Sequence, residues 1–319
     1  MFSYTKKEIV IAAKDLNVQK HTLERVLRLI DVLEFINSDI LLKDKLALKG
    51  GTAINLTFYN YLRLSVDIDL DYIGSNDREQ MMIDRDLIAK KLLNYMQESN
   101  MQYRNDKSKK THALDSFVFN YSNMFNATDM IKIEVNYMNR IHLFDYEKRS
   151  ITLPSKNGNE VLTLSKIDLF ASKTNALIYR TTIRDFYDVY NMIKNKTIKS
   201  NELILFKNSL VFYLLLSSEE KINIKLLFDE CKKRMNSFIG KRVPQYLTST
   251  LKLNEKFDIS GAVEIINQFL NEILDNITEN DITFINNFPY ISVKLFENNL
   301  IDEKIKNHPM IKWKQSLLK

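Results

Sequence analysis

The sequence predicts an α+β protein: a mixed sheet with flanking helices up to about residue 160, then a mostly α-helical C-terminal region. Three observations carry this. Two stretches before residue 140, "SVDIDLDY" and "IKIEVNY", alternate apolar and polar residues with the period of a strand. Apolar residues recur at helical spacing before, between and after them. Gly (6) and Pro (4) are scarce in 319 residues, which favours long helices over a turn-rich sandwich. The expected division is a first domain over residues 1–160 and a helical domain over 161–319, packed closely, since no flexible linker separates them.

In order, "YTKKEIVIAAKDL" opens with Thr5 and Glu8 at capping-box spacing and continues as a helix. "HTLERVLRLIDVLEFINSD" is a second helix, with Leu23, Val26, Leu27, Ile30 and Leu33 on one face. "LALKGG" reads as a short strand ending in two glycines, and "TAINLTFYNYL" resumes as a helix from Thr52. The Ser65–Tyr72 strand ends at Gly74, and "SNDREQMMIDRDLIAKKLLNYMQES" is a capped helix. "MQYRNDKSKKTH" is polar and basic. "SFVFNYSN" and "DMIKIEVNYMN" are expected to pair as strands, and "KRSITLPSKNGNEVLTL" as a hairpin turning at Asn157-Gly158. From Ser165, where Ser165 and Asp168 have capping-box spacing, helices follow one another: "SKIDLFASKTNALIYR", "TIRDFYDVYNMI", "NELILFKNSLVFYLLL", "NIKLLFDECKKRMNSFI", "AVEIINQFLNEILDNI" and "NFPYISVKLFEN".

Composition narrows the function classes. Hydrophobic residues make up 45% and charged residues 27% of the chain, an ordinary globular balance. The net charge of +6 suits phosphate-bearing partners without requiring them. One cysteine, Cys231, excludes an internal disulfide framework. "MFSYTKKEIV" lacks a signal-peptide pattern, and the longest strongly apolar run, Leu210–Leu216, is far shorter than the about 20 residues that cross a bilayer. A cytoplasmic protein with no membrane partner is expected.

On a strand, Asp67, Asp69 and Asp71 share one face at steps of about 6.6–6.8 Å, with Val66, Ile68, Leu70 and Tyr72 on the other. In "IKIEVNY", Lys132, Glu134 and Asn136 share the polar face, so Glu134 can stand beside Asp67 and Asp69 if both strands join one sheet. A solvated sheet face is the plain alternative. Against it, two carboxylates about 5 Å apart repel by roughly 3 kcal/mol at an effective dielectric near 20, and Thr, Ser or Lys would avoid that. Divalent cations would neutralise such a cluster, and oxygen-only donors favour Mg²⁺ over zinc. Two Mg²⁺ ions about 3.5–4 Å apart are the usual device for in-line displacement at phosphorus.

"LKGGTAIN" adds a glycine turn into a helix N-terminus at Gly50, Gly51 and Thr52, where backbone N–H groups can meet a phosphate. It is not a Walker loop, and a simple glycine turn capped by threonine has the same pattern. The combination of strand, Gly-Gly-Thr, helix and Asp-x-Asp strand, with an acid from a later strand, resembles the DNA polymerase β-like nucleotidyltransferase superfamily. The spacer of fourteen residues, Ala53 to Val66, is at the long end for it.

Two helices complete the pattern. Lys173 projects from the apolar face of its helix, where an ammonium needs an ion pair, a snorkelling path or an anionic ligand. In "TIRDFYDVY", Arg184 and Asp188 are spaced for an ion pair, with Asp185 three residues before Asp188. With these blocks, Leu46 to Ile193 resembles the AbiEii/AbiGii family of nucleotidyltransferase toxins from toxin–antitoxin and abortive-infection systems of bacteria.

The resemblance implies a nucleotidyltransferase-like fold and an Mg²⁺-dependent transfer of NMP from an NTP, with tRNA or another nucleic acid as acceptor. It implies growth arrest as phage defence and a cognate antitoxin encoded nearby. Gly50, Gly51, Thr52, Lys173 and Arg184 would hold the nucleotide. Asp67, Asp69 and Glu134 would bind two Mg²⁺ ions, and Lys173 with Asp185 and Asp188 would complete the catalytic set. Which of Asp185 and Asp188 faces the nucleotide stays open. Asp71 is expected to be dispensable for metal binding. The basic segment Arg104–His112 and the helical region are candidates for holding the acceptor. A sugar-nucleotide glycosyltransferase using Asp-x-Asp, or an inactive nucleotide- or nucleic-acid-binding module, are the alternatives.

Overall fold

The computed structural model describes residues 2–59, 61–152, 157–218, 221–288 and 303–317. Two compact units emerge: residues 2–142, 146–164 and 244–255 form the first, and residues 143–145, 165–243 and 256–317 the second.

The first unit begins with α1 (Lys6–Asp15) and α2 (Lys20–Ser38). Thr5 and Glu8 form the capping box that their spacing predicts. β1 (Leu46–Lys49) runs into α3 (Gly50–Thr57), then come β2 (Asp67–Tyr72) and α4 (Arg78–Glu98), capped by Asp77 accepting from the Gln80 N–H. The α3 helix begins at Gly50, two residues before the expected Thr52, because both glycines already take part in its first turn. The polar segment after α4 contributes two short strands, β3 (Gln102–Tyr103) and β4 (Lys109–Lys110), that alternation alone did not reveal. β5 (Leu114–Ser122), β6 (Thr128–Asn136), β7 (Glu147–Thr152) and β8 (Asn157–Thr163) complete the strands of the described residues.

These strands form one mixed sheet in the order β3-β5-β6-β2-β1-β8-β7, with β4 also on β5. β2 is antiparallel to β1 and parallel to β6, so the acid strand lies inside the sheet. Ile68, Leu70, Ile131, Ile133 and Val135 are buried, as a sheet with one core face requires. α2 packs against β6 and β8, and α3 against β1, β2 and β7. Asn157 and Gly158 were expected at a hairpin turn; they instead open β8, where Asn157 pairs with Thr152, and the turn itself lies outside the described residues. A Cβ on Gly158 would run into the Ile151 carbonyl, which explains glycine within that strand.

Buried Arg85 on α4 grips the Asp115 carboxylate with two bonds, 3.0 and 2.6 Å, and donates to the His112 carbonyl at 3.1 Å. It thereby ties the helix to the strand that follows the basic segment. Residues 244–255, including α9 (Gln245–Thr248), fold back onto this unit: Leu64 N–H donates to the Thr250 carbonyl at 2.7 Å and Leu253 N–H to the Asn17 carbonyl at 2.6 Å.

The second unit is helical. α5 (Lys166–Arg180) packs against α6 (Ile183–Lys194), α7 (Leu203–Ser217) and α8 (Ile224–Asn236). α10 (Ile259–Asp275) covers α6 and α8, α11 (Glu279–Asn287) meets α8, and α13 (Pro309–Ser316), after the short α12 (Glu303–Lys306), packs on α7. The apolar run Leu210–Leu216 is the centre of α7, a core helix as expected. Ser165 caps α5, accepting from the Asp168 N–H, while the Asp168 carboxylate accepts from the Phe144 N–H and the Ser209 hydroxyl. No helix among the described residues is long and apolar enough to cross a membrane. The expected helix "NFPYISVKLFEN" lies from Pro289 onward outside the described residues.

Candidate active site

The first cluster is built by β1, α3, β2 and β6. Register places Asp69 beside Glu134 and Asp67 beside Lys132 on parallel neighbours, so these four side chains share one face. Lys49, at the end of β1, pairs in register with Asp69. Gly50 follows with φ +70°, and a Cβ there would sit 2.5 Å from Asp69 Oδ2. The Asp69 carboxylate therefore lies directly against the start of α3. A Cβ on Gly51 would overlap the guanidinium of Arg63, a buried residue whose Nη1 donates to the Leu64 carbonyl at 3.3 Å. Each glycine is needed because a charged side chain occupies the space of its missing Cβ.

The Thr52 side chain is fully buried. Its hydroxyl donates to the Asp67 carbonyl and shares a 2.9 Å bond with Ser65 Oγ. It locks the α3 N-terminus to the acid strand, a role different from the phosphate contact that the pattern suggested.

The three aspartates of β2 differ. Asp67 and Asp69 are partly exposed. Asp71 is buried, 2.5 Å from Lys49 Nζ and 3.2 Å from His142 Nε2. Burial pushes its carboxyl up, but Lys49 and His142 outweigh that and hold it below the usual range. Asp71→Ala is expected to destabilise the fold by roughly 1.5–3 kcal/mol, read as a lower urea midpoint, because it strips Lys49 of its partner. Lys132 Nζ lies 2.6 Å from Glu134 Oε1. Partial burial works against its charge, yet Glu134, with Asp67 and Asp69 beyond it, holds the ammonium above the ordinary lysine range.

Arg63, Ser65, Lys49 and His142 are site neighbours that pattern reading passed over. Arg63 and Ser65 flank Leu64 in "LRLSVDID", a polar interruption just before the acids that could have drawn attention. Lys132 was visible on the polar face, but its partner was not.

The second cluster lies within the helical unit. Lys173 is buried on α5, 3.0 Å from Asp185 Oδ1 and 3.1 Å from Asp188 Oδ2. Arg180, at the end of α5, donates to Asp185 through Nε at 2.6 Å and Nη2 at 3.0 Å. Thr182 caps α6 at Asp185. Burial pushes the Asp185 carboxyl up, but Lys173 and Arg180 more than reverse this and hold it far below the carboxylate range. The lysine thus sits between two carboxylates, both of its expected companions, and Arg184 on the same helix is half-buried.

A family model described as "Nucleotidyl transferase AbiEii toxin, Type IV TA system" matches residues 32–226, which span both clusters. The chain belongs to the AbiEii nucleotidyltransferase toxin family. It is accordingly a nucleotidyltransferase, the toxin of a type IV toxin–antitoxin pair, and an antitoxin is its implied partner. Among solved structures it is similar to MenT4, a nucleotidyltransferase toxin from Mycobacterium tuberculosis H37Rv, at 11% identity and a TM-score of 0.62, over 99% of this chain and 100% of that one. At that identity the likeness speaks for the fold. No curated protein matches the chain.

The AbiEii reading raises the question of a metal. Asp67 and Asp69 offer only oxygen donors beside a glycine turn, which suits a hard divalent cation. Among the described residues no three His, Cys, Asp or Glu side chains gather closely enough to hold an ion, and Glu134 is held by Lys132. Asp67 and Asp69, the acid pair beside the turn, thus lack a third carboxylate close by among the described residues. Gly50→Ala tests how closely this set depends on the glycine turn. It forces a Cβ into a left-handed position and against Asp69, so transfer is expected to fall on the order of 10²-fold in a labelled-NTP assay, with a smaller loss of thermal stability.

Proposed function

We propose that this toxin transfers an NMP group from an NTP to a nucleic acid, foremost the 3′ end of tRNA, and that the resulting growth arrest limits phage spread. The observation that carries the chemistry is the seating of the Asp69 carboxylate against the Gly50 turn, which puts an acid pair and the start of a helix at one place on the sheet. Asp67 and Asp69 would hold Mg²⁺. When bound, the ion supplies Lewis acidity toward the α-phosphate and the acceptor hydroxyl.

The chain's own residues carry the remaining roles. Backbone N–H groups of Gly50 and Gly51 meet the triphosphate. Arg63, braced beneath Gly51, fixes that turn and adds positive charge below it. The acceptor oxygen attacks the α-phosphorus, the bond to the bridging oxygen breaks, and pyrophosphate leaves with its charge. Lys173, Asp185 and Asp188 serve the nucleotide as the family's third block, with Lys173 set between the two carboxylates. The family match favours this reading over glycosyl transfer. Its test is incubation of total RNA with one α-labelled NTP at a time. Label in the tRNA band supports the reading, and label confined to protein or to other RNA contradicts the acceptor assignment.

A further inference from the structure

We propose that Lys109 is a phosphate contact that seats the 3′ end of the acceptor RNA on the sheet, a placement that rests on the acceptor reading above and narrows the basic segment to one cation on the acid face. Its basis is a row of register partners within the first unit. Lys49 on β1 pairs with Asp69 on β2, Asp69 with Glu134 on β6, Glu134 with Ser116 on β5, and Ser116 with Lys109 on β4. Register partners on adjacent strands share a face, so Lys109 stands on the face of the acids.

The arginine and the other lysines of the segment are placed differently. Lys110 pairs with Asp115 and therefore points to the opposite face, where its Nζ lies 3.3 Å from Asp86 Oδ1 on α4. Arg104 holds the Asp106 carboxylate through Nε at 2.9 Å and Nη2 at 2.7 Å. Lys107 lies in the turn between β3 and β4, off the ladder. Lys109 is exposed, and among the described residues it makes no ion pair. Lys49, at the other end of the row, is already held by Asp71.

From Asp69 outward, charge along the row changes sign: two acids, then neutral Ser116, then Lys109. A polyanion is repelled at the acid end and attracted at the lysine end. The uncharged terminal hydroxyl is the part of an RNA that can lie over the acids, so the strand points that end at Asp69 and its phosphates toward Lys109. Three strand-to-strand steps separate the two residues, about 14–15 Å. Nucleotides stacked about 3.4 Å apart cover that span with about four of them.

The test is binding of bulk tRNA to the full chain, without NTP, as salt is raised, for the wild type, Lys109→Gln, Lys109→Arg and Lys110→Gln. At a single-stranded end each phosphate contact contributes about 0.7 to the slope of log affinity against log salt. Lys109→Gln is expected to bind more weakly and to lower the slope by about that much, while Lys109→Arg keeps the charge and the slope. Lys110→Gln is expected to match the wild type, although it removes the same charge one residue away. Bulk tRNA trimmed of about four 3′ nucleotides is expected to bind the wild type with the lower slope, because the phosphates opposite Lys109 are gone. A Lys109→Gln slope equal to the wild type's, as for a lysine that only keeps the sheet edge from pairing, would overturn the proposal. So would an equal loss in Lys110→Gln, or equal slopes for whole and trimmed tRNA. A wild-type protein that binds no tRNA would overturn the acceptor reading itself. Both lysines are exposed, so the variants are expected to fold, which circular dichroism checks.

Discussion

Asp69→Asn is expected to lower nucleotidyl transfer on the order of 10³-fold, with the melting temperature nearly unchanged. A metal acting as Lewis acid is worth several kcal/mol, and about 4 kcal/mol corresponds to that factor. Asparagine keeps the volume that packs against Gly50, so the turn is not disturbed, while the donor charge is lost. Asp67→Asn is expected to behave in the same way. The bond from Thr52 goes to the Asp67 carbonyl and survives the substitution. Both variants should relieve the growth defect that the wild-type toxin causes when expressed without its antitoxin. An effect on folding as large as the effect on transfer would point to a structural role instead.

Lys173→Met is expected to destabilise the helical unit by about 3–5 kcal/mol, because it leaves carboxylates in the interior without the ammonium between them. The loss is read as a lower urea midpoint at neutral pH. Asp185 keeps its bonds from Arg180 in this variant. Transfer measured well below the shifted midpoint then separates two roles. A purely structural lysine would leave the folded fraction active; the proposed phosphate contact would not.

Acid has a related effect. The folded carboxyl of Asp185 lies below its unfolded value of about 3.9, so its contribution is present above that pH and is lost as pH falls toward the folded value. Stability should therefore decline below about pH 4, and Asp185→Asn should flatten that decline.

Much of this arrangement was legible in the residues. The period of two in Ser65–Tyr72 and Ile131–Tyr137 set which side chains share a face, and the sheet brings Asp69 and Glu134 side by side as that grammar allowed. Helices announced themselves by caps such as Thr5 with Glu8. What the pattern did not carry is the choice of partner. Alternation puts Lys132 on the acid face but does not say whether it turns to solvent or to Glu134. Nor does local sequence reveal that Arg63 would lie against Gly51, or that residues 244–255 would return to the first unit, since both depend on contacts between distant segments. Asn157-Gly158 has turn composition, yet pairing with Thr152 extends the strand through it. The same limit explains Asp71. It repeats the spacing of Asp67 and Asp69, but Lys49 and His142 claim it, and neither adjoins it in the chain.

The most direct test of the central claim compares two labels on one NTP. Wild-type toxin is incubated with total RNA and Mg²⁺, with the NTP labelled at either the α- or the γ-phosphate. Nucleotidyl transfer on the Asp67–Asp69 face puts the α-label into RNA, releases the γ-label as pyrophosphate, and loses both signals in Asp69→Asn. Transfer of the γ-label to an acceptor, or α-label incorporation that Asp69→Asn leaves intact, would contradict it.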